Sequence, residues 1–229
     1  MIKKVMLTSW SFCLIVCMSI VRANDTRTVA VLYFDNNCLI QKNEMEPLRK
    51  GLADILITEL GKIDRLQVVE RNRLQQVLEE MQLAQAGVVG GKTAQEVGKM
   101  LGAQNLLFGS YMMMMDKKMR IDVRIVEVET GATVKAEEAT GQPKDLYKLV
   151  AQLVIKIAKN LDVQISKTDA QKLASPDNTS FDAALFYAKG LEYEDAKDYK
   201  NAAQMYESAL KKNDQFRQAR ERLTAVKKM

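Results

Sequence analysis

The sequence predicts an α/β domain, in which helices pack on a mixed β-sheet, followed by a smaller all-α helical hairpin. Two patterns carry this prediction. Short β-favouring apolar runs alternate with helical apolar spacing over residues 28–165, and helical spacing alone recurs over residues 181–229. The polar stretch between them, 166–180, contains one proline and is interpreted as a linker. The composition, 47% hydrophobic and 28% charged, is that of a globular protein.

The first predicted elements are a strand, a helix and a second strand. Residues 28–34 form a continuous β-favouring run that ends at Asp35, which is typical of a strand buried on both faces. Helical spacing follows between Pro47 and Gly61, and the apolar stripe consists of Leu48, Leu52, Ile55, Leu56 and Leu60. Residues 66–69 then predict a short strand.

The rest of the first domain continues this alternation. The predicted elements are helices at 71–84, 93–101 and 146–161, and strands at 105–115, 119–128 and 133–139. Only Asp116–Lys118 joins the first two of these strands, which favours a tight turn. The run Met112–Met115 alternates between the two faces of a strand, so we expect its sulfur atoms to pack in the sheet and not to converge on a copper ion.

The chain contains no histidine, which excludes Ser-His-Asp and Cys-His catalytic sites and His-ligated metal sites. The glycine-rich segment Ala86–Thr93 resembles a relaxed phosphate-binding loop that places Lys92 near the phosphates. Such a loop must follow a strand, whereas a helix is predicted here, and Thr93 with Glu96 forms a capping-box pattern. We therefore expect a non-enzymatic protein without cofactor or metal, with nucleotide binding as the last alternative.

The N-terminus has the layout of a secretory signal. Two lysines precede an apolar run at 5–20, and Val21-Arg22-Ala23 has small residues at the positions that a signal peptidase reads. The run is shorter than the roughly 20 residues of a membrane-spanning helix. The alternatives are an uncleaved anchor and lipidation of Cys17, although Val16 is a poor residue to precede a lipidated cysteine.

Cleavage after Ala23 would change the charge and the cysteine content. Residues 1–23 carry three cationic side chains and no acidic one, so the formal net charge would fall from +5 to +2. This near balance argues against nucleic-acid binding. Cys38 would be the remaining cysteine, which rules out an internal disulfide. We expect a periplasmic protein whose association with the outer membrane is at most peripheral.

Seven short motifs occur in order over residues 29–141. They are Val29-Ala-Val-Leu-Tyr-Phe34, Gly51-Leu-Ala-Asp-Ile-Leu56, Val68-Val-Glu-Arg71, Val77-Leu-Glu-Glu80, Gly98-Lys-Met-Leu-Gly-Ala103, Leu106-Leu-Phe-Gly109 and Arg124-Ile-Val-Glu-Val-Glu-Thr-Gly131. This order resembles the CsgG-type domain family, named for the curli secretion channel of bacterial outer membranes. The resemblance implies an anticodon-binding-domain-like α/β sandwich that forms oligomers and has no known catalytic residues.

The sequence also departs from that family. Its channel-forming members donate extended β-hairpins to a shared barrel, and the place for such a hairpin here is Asp116–Lys118. A membrane hairpin needs two strands of about 9–11 residues each. We therefore expect a relative that lacks the pore-forming hairpin.

The C-terminal segment, 183–216, has the spacing of one tetratricopeptide repeat. Its repeat-core positions are Phe186, Gly190, Tyr193, Ala202, Tyr206 and Ala209. Repeat register implies that Tyr187, Leu191 and Glu194 face a groove and bind a partner protein or peptide. The alternative is a plain helical hairpin. Because a single repeat buries little surface, we expect it to pack on the first domain, on another subunit or on a partner.

The predicted organisation is a signal peptide at 1–23, a CsgG-like domain at 24–165, a linker at 166–180 and a helical domain at 181–229. We expect a homo-oligomeric adaptor or assembly protein of the bacterial envelope, which supports secretion or curli-like surface-fibre assembly through protein–protein contacts. The alternative is a periplasmic activator of a cell-wall synthase.

The signal-peptide prediction is tested by the mass of the protein. We expect cleavage after Ala23, because the small residues at Val21 and Ala23 follow the apolar run. Intact-mass measurement on protein from the envelope fraction should give a chain that begins at Asn24. A chain that retains residues 1–23, or that carries acyl groups on Cys17, would contradict the prediction.

Overall fold

The computed structural model describes residues 26–81, 91–174 and 179–229. Within these ranges the sheet has six strands: β1 (Arg27–Val31), β2 (Asp35–Asn36), β3 (Leu66–Val68), β4 (Asn105–Met113), β5 (Met119–Glu127) and β6 (Thr133–Gly141). Their order is β3-β1-β4-β5-β6, with β2 beside β4. Strand β1 is parallel to β3 and β4, whereas β4, β5 and β6 form an antiparallel meander. The predicted mixed sheet is therefore confirmed.

Helices flank the sheet and make up the C-terminal part of the described chain. They are α1 (Lys42–Met45), α2 (Leu48–Leu60), α3 (Arg71–Glu80), α4 (Gly91–Met100), α5 (Leu146–Asn160), α6 (Lys167–Ala174), α7 (Phe181–Asp195), α8 (Tyr199–Lys212) and α9 (Arg217–Val226). Helices α7 and α8 pack against each other as the predicted hairpin. The structure therefore confirms the predicted fold class.

Alternate residues of β1 point into two different cores. Val29 and Val31 belong to the larger core, which α2 and α5 cover, whereas Ala30 and Leu32 belong to a smaller core beneath α3 and α4. All four side chains are buried. The strand is thus covered on both faces, as its unbroken apolar run predicts.

The larger core continues from the sheet into the C-terminal helices. Phe216, just before α9, packs edge-on against Tyr147 of α5 with 6.2 Å between ring centroids. Ala183, Ala184 and Ala188 on α7 are fully buried in the same core. A single repeat is expected to pack on the first domain, on another subunit or on a partner. The structure shows that the helical hairpin packs on the first domain.

Helix boundaries differ from the predictions around the glycine-rich segment. Helix α3 ends at Glu80, four residues earlier than expected, and residues 82–90 lie outside the described ranges, with most of the segment Ala86–Thr93. Helix α4 begins at Gly91. Thr93 therefore lies within the first turn, and the prediction that it caps the helix is wrong.

Two connections are also longer or more ordered than expected. Strand β4 ends at Met113, so five residues, 114–118, join it to β5, and Lys117 has a φ of +61°. In the segment interpreted as a linker, residues 167–174 form α6, whose Leu173 is buried in the larger core.

None of the helices in the described ranges has the length and apolar character needed to cross a bilayer.

Candidate functional site

Helices α2 and α7 approach each other closely, and two small residues permit this. A Cβ atom placed on Gly51 would lie 2.5 Å from the Cβ of Ala188, which is closer than van der Waals contact allows. Gly51 is also the first residue of a motif that the sequence shares with the CsgG-type domain. The glycine therefore sets the distance between the first domain and the helical hairpin.

Six charged side chains meet beside this crossing, and we call them the ionic joint: Lys50, Asp54, Arg71, Glu194, Asp195 and Arg222. Arg71 is the central group, with 2% of its side chain exposed. Its Nη1 lies 2.7 Å from Asp195 Oδ1, its Nε 3.5 Å from Asp54 Oδ1, and its Nη2 3.7 Å from Glu194 Oε1. One guanidinium thus contacts carboxylates from both α2 and α7.

Two further cations complete the ionic joint. The Nζ of Lys50 lies 2.6 Å from Asp195 Oδ2. The Nη1 of Arg222, on α9, donates to Glu194 Oε1 over 3.0 Å, and its Nη2 lies 3.5 Å from Asp54 Oδ1. Three cations therefore balance three carboxylates, which lowers the cost of removing these groups from water.

Tyrosine hydroxyl groups satisfy the remaining carboxylate oxygens. Tyr187 donates to Asp54 Oδ2 over 2.5 Å, and Tyr206 donates to Glu194 Oε2 over 2.6 Å. The two rings lie 5.7 Å apart. The network therefore connects α2, α7 and α8 through hydrogen bonds as well as ion pairs.

Burial governs the ionisation of these groups. Loss of water raises the pKa of Tyr187, and it raises the pKa of Tyr206, so both phenols stay neutral. Burial acts to lower the pKa of Arg71, but Asp195, Tyr33 and Asp54 oppose it and hold that pKa above its ordinary value. The joint thus holds a permanent cation among carboxylates, whose other oxygens accept hydrogen bonds from neutral phenols.

The structure corrects the predicted partner-binding residues. Tyr187 and Leu191 are buried in the larger core, and Glu194 is paired with Arg71 and Arg222 in the ionic joint. These positions face α2 of the same chain. They are therefore not available to an external partner in this structure, because the first domain already occupies the side of α7 that repeat register assigns to a groove.

Most of the predicted repeat-core residues lie at the contact between α7 and α8. Ala202, Tyr206 and Ala209 are fully buried, and a Cβ on Gly190 would collide with the Tyr206 ring. The remaining two, Phe186 and Tyr193, differ, because Phe186 is half-buried and Tyr193 is 39% exposed. The hairpin is thus observed, whereas its assignment as a tetratricopeptide repeat stays a prediction.

Tyr193 instead lines an open groove of about 490 Å³, together with Pro47, Lys189, Glu192, Ala196 and Met205. Partial burial raises the pKa of Glu192 above its usual range, and neighbouring Lys50 opposes that effect. The groove lies between the start of α2 and the hairpin, and Met205 of α8 forms part of its lining. It is a surface feature without an assigned ligand.

Sequence reasoning missed the ionic joint, although two of its residues carried a signal. Asp54 interrupts the apolar stripe of α2, and Arg71 ends the motif Val68-Val-Glu-Arg71 at the start of α3. A charged residue inside an apolar helix requires a buried partner. The partner of Asp54 is Arg71, and Arg71 in turn pairs with Asp195 of α7, which is 124 residues away in the sequence, so only the fold identifies the complete set. Among the described residues, no group of three or more His, Cys, Asp or Glu side chains is placed to hold a metal ion.

The fold and the ionic joint define an α/β domain with a C-terminal helical hairpin fastened to it by buried charges. Residues 18–114 match the family described as curli production assembly/transport component CsgG. The resemblance that the ordered motifs predict is therefore confirmed over residues 18–114. The match ends before β5, so the part of the resemblance at 115–141 stays a prediction. No curated protein sequence matches this chain.

Several solved structures resemble parts of the chain. The LpoB C-terminal domain from Salmonella enterica is 18% identical, with a TM-score of 0.36, over 53% of this chain and 87% of that one. Lipoprotein GNA1162 from Neisseria meningitidis is 12% identical, with a TM-score of 0.40, over 61% and 99%. The PelC dodecamer from Paraburkholderia phytofirmans, in space group P6, is 15% identical, with a TM-score of 0.36, over 62% and 91%. At these low values the likenesses carry no functional argument.

The close approach of α2 and α7 predicts the effect of enlarging Gly51. Gly51→Ala should lower the free energy of unfolding by about 1–3 kcal/mol, because the new methyl group overlaps Ala188 and forces the helices apart. Gly61→Ala, at the residue that follows the same helix, is the control, since its Cβ would meet backbone oxygens at an ordinary 3.4 Å and should cost nothing. Urea unfolding followed by circular dichroism measures both. Equal stability of Gly51→Ala and the unchanged protein would contradict the packing.

The ionic joint predicts a large effect at Arg71. Arg71→Met should cost about 3–5 kcal/mol, because it leaves Asp54 and Asp195 buried beside fewer cations. Arg71→Lys keeps the charge but not the planar fork of the guanidinium, so its free energy of unfolding should lie between that of Arg71→Met and that of the unchanged protein. Lys118→Met removes an exposed ion pair with Asp116 and should leave urea unfolding unchanged. An Arg71→Met protein as stable as the unchanged protein would refute the central role of this side chain.

Proposed function

We propose that this protein is a non-enzymatic, homo-oligomeric adaptor of the bacterial envelope that supports secretion or surface-fibre assembly. The observation that carries the proposal is the family match at residues 18–114, whose description is a component of curli assembly and transport. The predicted secretory signal before Asn24 supports a periplasmic location.

The chemistry of the charged groups supports a role in binding and not in catalysis. The charges of the ionic joint neutralise one another, and its phenols have raised pKa values. A general acid or base must instead face a substrate with a pKa near the working pH. The ionic joint fixes the position of the helical hairpin relative to the first domain. An adaptor requires such a fixed arrangement of its parts.

The open edge of the sheet supports self-association. Strand β6 has nine residues and pairs only with β5 among the described strands, so its other side is an edge of the sheet, where Lys156 donates to the Glu138 carbonyl. Such edges pair with other strands unless they are protected, and the charged residues Lys135, Glu137 and Glu138 on β6 restrict the choice of partner. A second copy of the chain is the partner that the proposal assigns.

The connection between β4 and β5 argues against a channel. It contains five residues, whereas a membrane hairpin requires roughly 20. The two strands pair along their whole length, from Asn105 with Glu127 to Met113 with Met119. Extending a hairpin from them would uncover the helices that the sheet buries, at about 25 cal/mol for each Å² of apolar surface.

The partner class is tested by capture from envelope extract with the full chain as bait. Secretion or surface-fibre subunits in the captured fraction would support the proposal. A cell-wall synthase would support instead the alternative of a synthase activator. Capture of neither class by the unchanged protein, with Arg71→Met as a destabilised control, would contradict an adaptor role.

The full chain should form oligomers and should not perforate membranes. Light scattering at increasing protein concentration should show oligomers, because the β6 edge and the CsgG-type domain favour self-association. Dye-loaded liposomes should stay sealed when the protein is added, because the β4–β5 connection is too short to cross the bilayer. A strictly monomeric chain would contradict the proposed self-association. Dye release would contradict the expectation that the protein forms no pore.

A further inference from the structure

Two loops leave the sheet side by side at one end. Strand β2 is parallel to β4, with Asn36 opposite Tyr111, and the Asn37 N–H donates to the Tyr111 carbonyl over 2.8 Å. The segment after β2, 38–41, therefore runs beside the five-residue connection 114–118 that follows β4. Both loops leave the sheet at the carboxyl ends of their strands.

These loops expose four large apolar side chains, which we call the apolar tip. Leu39 is 94% exposed, Ile40 70%, Met114 38% and Met115 98%. Elsewhere in the described ranges the large exposed hydrophobic residues occur singly in the chain, as Met100, Val134, Ile155, Tyr193 and Met229. Single exposed residues need no explanation, whereas a group of them marks an interaction surface.

Cationic side chains flank the apolar tip. Lys42 follows Gln41 in the first loop, and Lys117 lies in the other loop. Burial raises the pKa of the Cys38 thiol, Glu46 raises it further, and Lys42 lowers it, so both charged groups lie near that thiol. Neither lysine forms an ion pair with a described residue, whereas Lys118 pairs with Asp116 over 2.8 Å and Glu46 pairs with Arg49 over 3.1 Å.

We propose that the apolar tip inserts into the interfacial region of a lipid bilayer that contains anionic lipids. The side chains project from two turns, so they form a protrusion, which suits a deformable layer of acyl chains better than the rigid surface of a folded protein. Leucine, isoleucine and methionine need no hydrogen-bond partners there, and the lysines at the base lie where anionic headgroups would be. The loops are too short to go deeper than the interface.

This membrane contact is independent of the proposed self-association, which uses a different part of the sheet. It would hold the protein against a membrane surface without spanning it. The edge of β6 is formed by backbone groups of residues 133–141, whereas the apolar tip belongs to the loops after β2 and β4, and only Gly141, at the end of β6, pairs beside the β4–β5 connection, opposite Met119. A failure of vesicle binding would therefore leave the adaptor proposal intact, and a monomeric protein could still bind vesicles.

Vesicle binding by the full chain and two pairs of variants tests the proposal. Leu39→Ser/Ile40→Ser and Met114→Ser/Met115→Ser should each lower partitioning onto phosphatidylethanolamine–phosphatidylglycerol vesicles about tenfold. The control Met100→Ser/Ile155→Ser removes one methionine and one isoleucine that are 42% and 49% exposed elsewhere, and it should bind like the unchanged protein. Because all six side chains are exposed, the variants should keep the fold.

A fluorescence measurement locates the contact. Met115→Trp should shift its emission to shorter wavelength when vesicles are added, whereas Ile155→Trp should not, because only the first lies in the apolar tip. Equal vesicle binding by the tip variants and the unchanged protein would overturn the proposal. Loss of oligomers in the tip variants with unchanged vesicle binding would also overturn it, since the tip would then be a contact between subunits.

Discussion

The contact of the buried Arg71 guanidinium with carboxylates from two helices is the interaction on which the arrangement of this protein depends. Arg71 belongs to the first domain, Asp54 to α2 of the same domain, and Asp195 to α7 of the helical hairpin. A buried charge without partners costs several kcal/mol, so each group is stable only while the others stay in place. The position of the hairpin is thereby coupled to the fold of the first domain.

Apolar packing and the charges have different roles at this contact. The free energy comes mainly from the continuous larger core, because burial of apolar surface is the dominant favourable term in folding. The ion pairs add little net energy once desolvation is subtracted, but they penalise every other placement of α7. Gly51 and Ala188 then allow the helices to approach until the charged groups meet.

This arrangement limits where partners can bind. The side of α7 that a free helical repeat would offer to a peptide is covered by α2, and Tyr187 is buried there. Among the described residues, the surfaces open to other molecules include the β6 edge, the groove beside Tyr193 and the apolar tip. The hairpin thus extends the first domain, and these surfaces lie outside the contact between them.

Local patterns in the sequence determined the elements of the first domain and its resemblance to the CsgG family over residues 18–114. The apolar run at 28–34, the helical stripe of α2 and the ordered motifs depend on neighbours within a few residues, and the structure confirms the elements. Only the tertiary structure decided that Asp54, Arg71 and Asp195 pair, that Tyr187 is buried, and that the loops after β2 and β4 leave the sheet side by side. These contacts join residues far apart in the chain, and their formation depends on the packing distance between elements, which local periodicity does not encode.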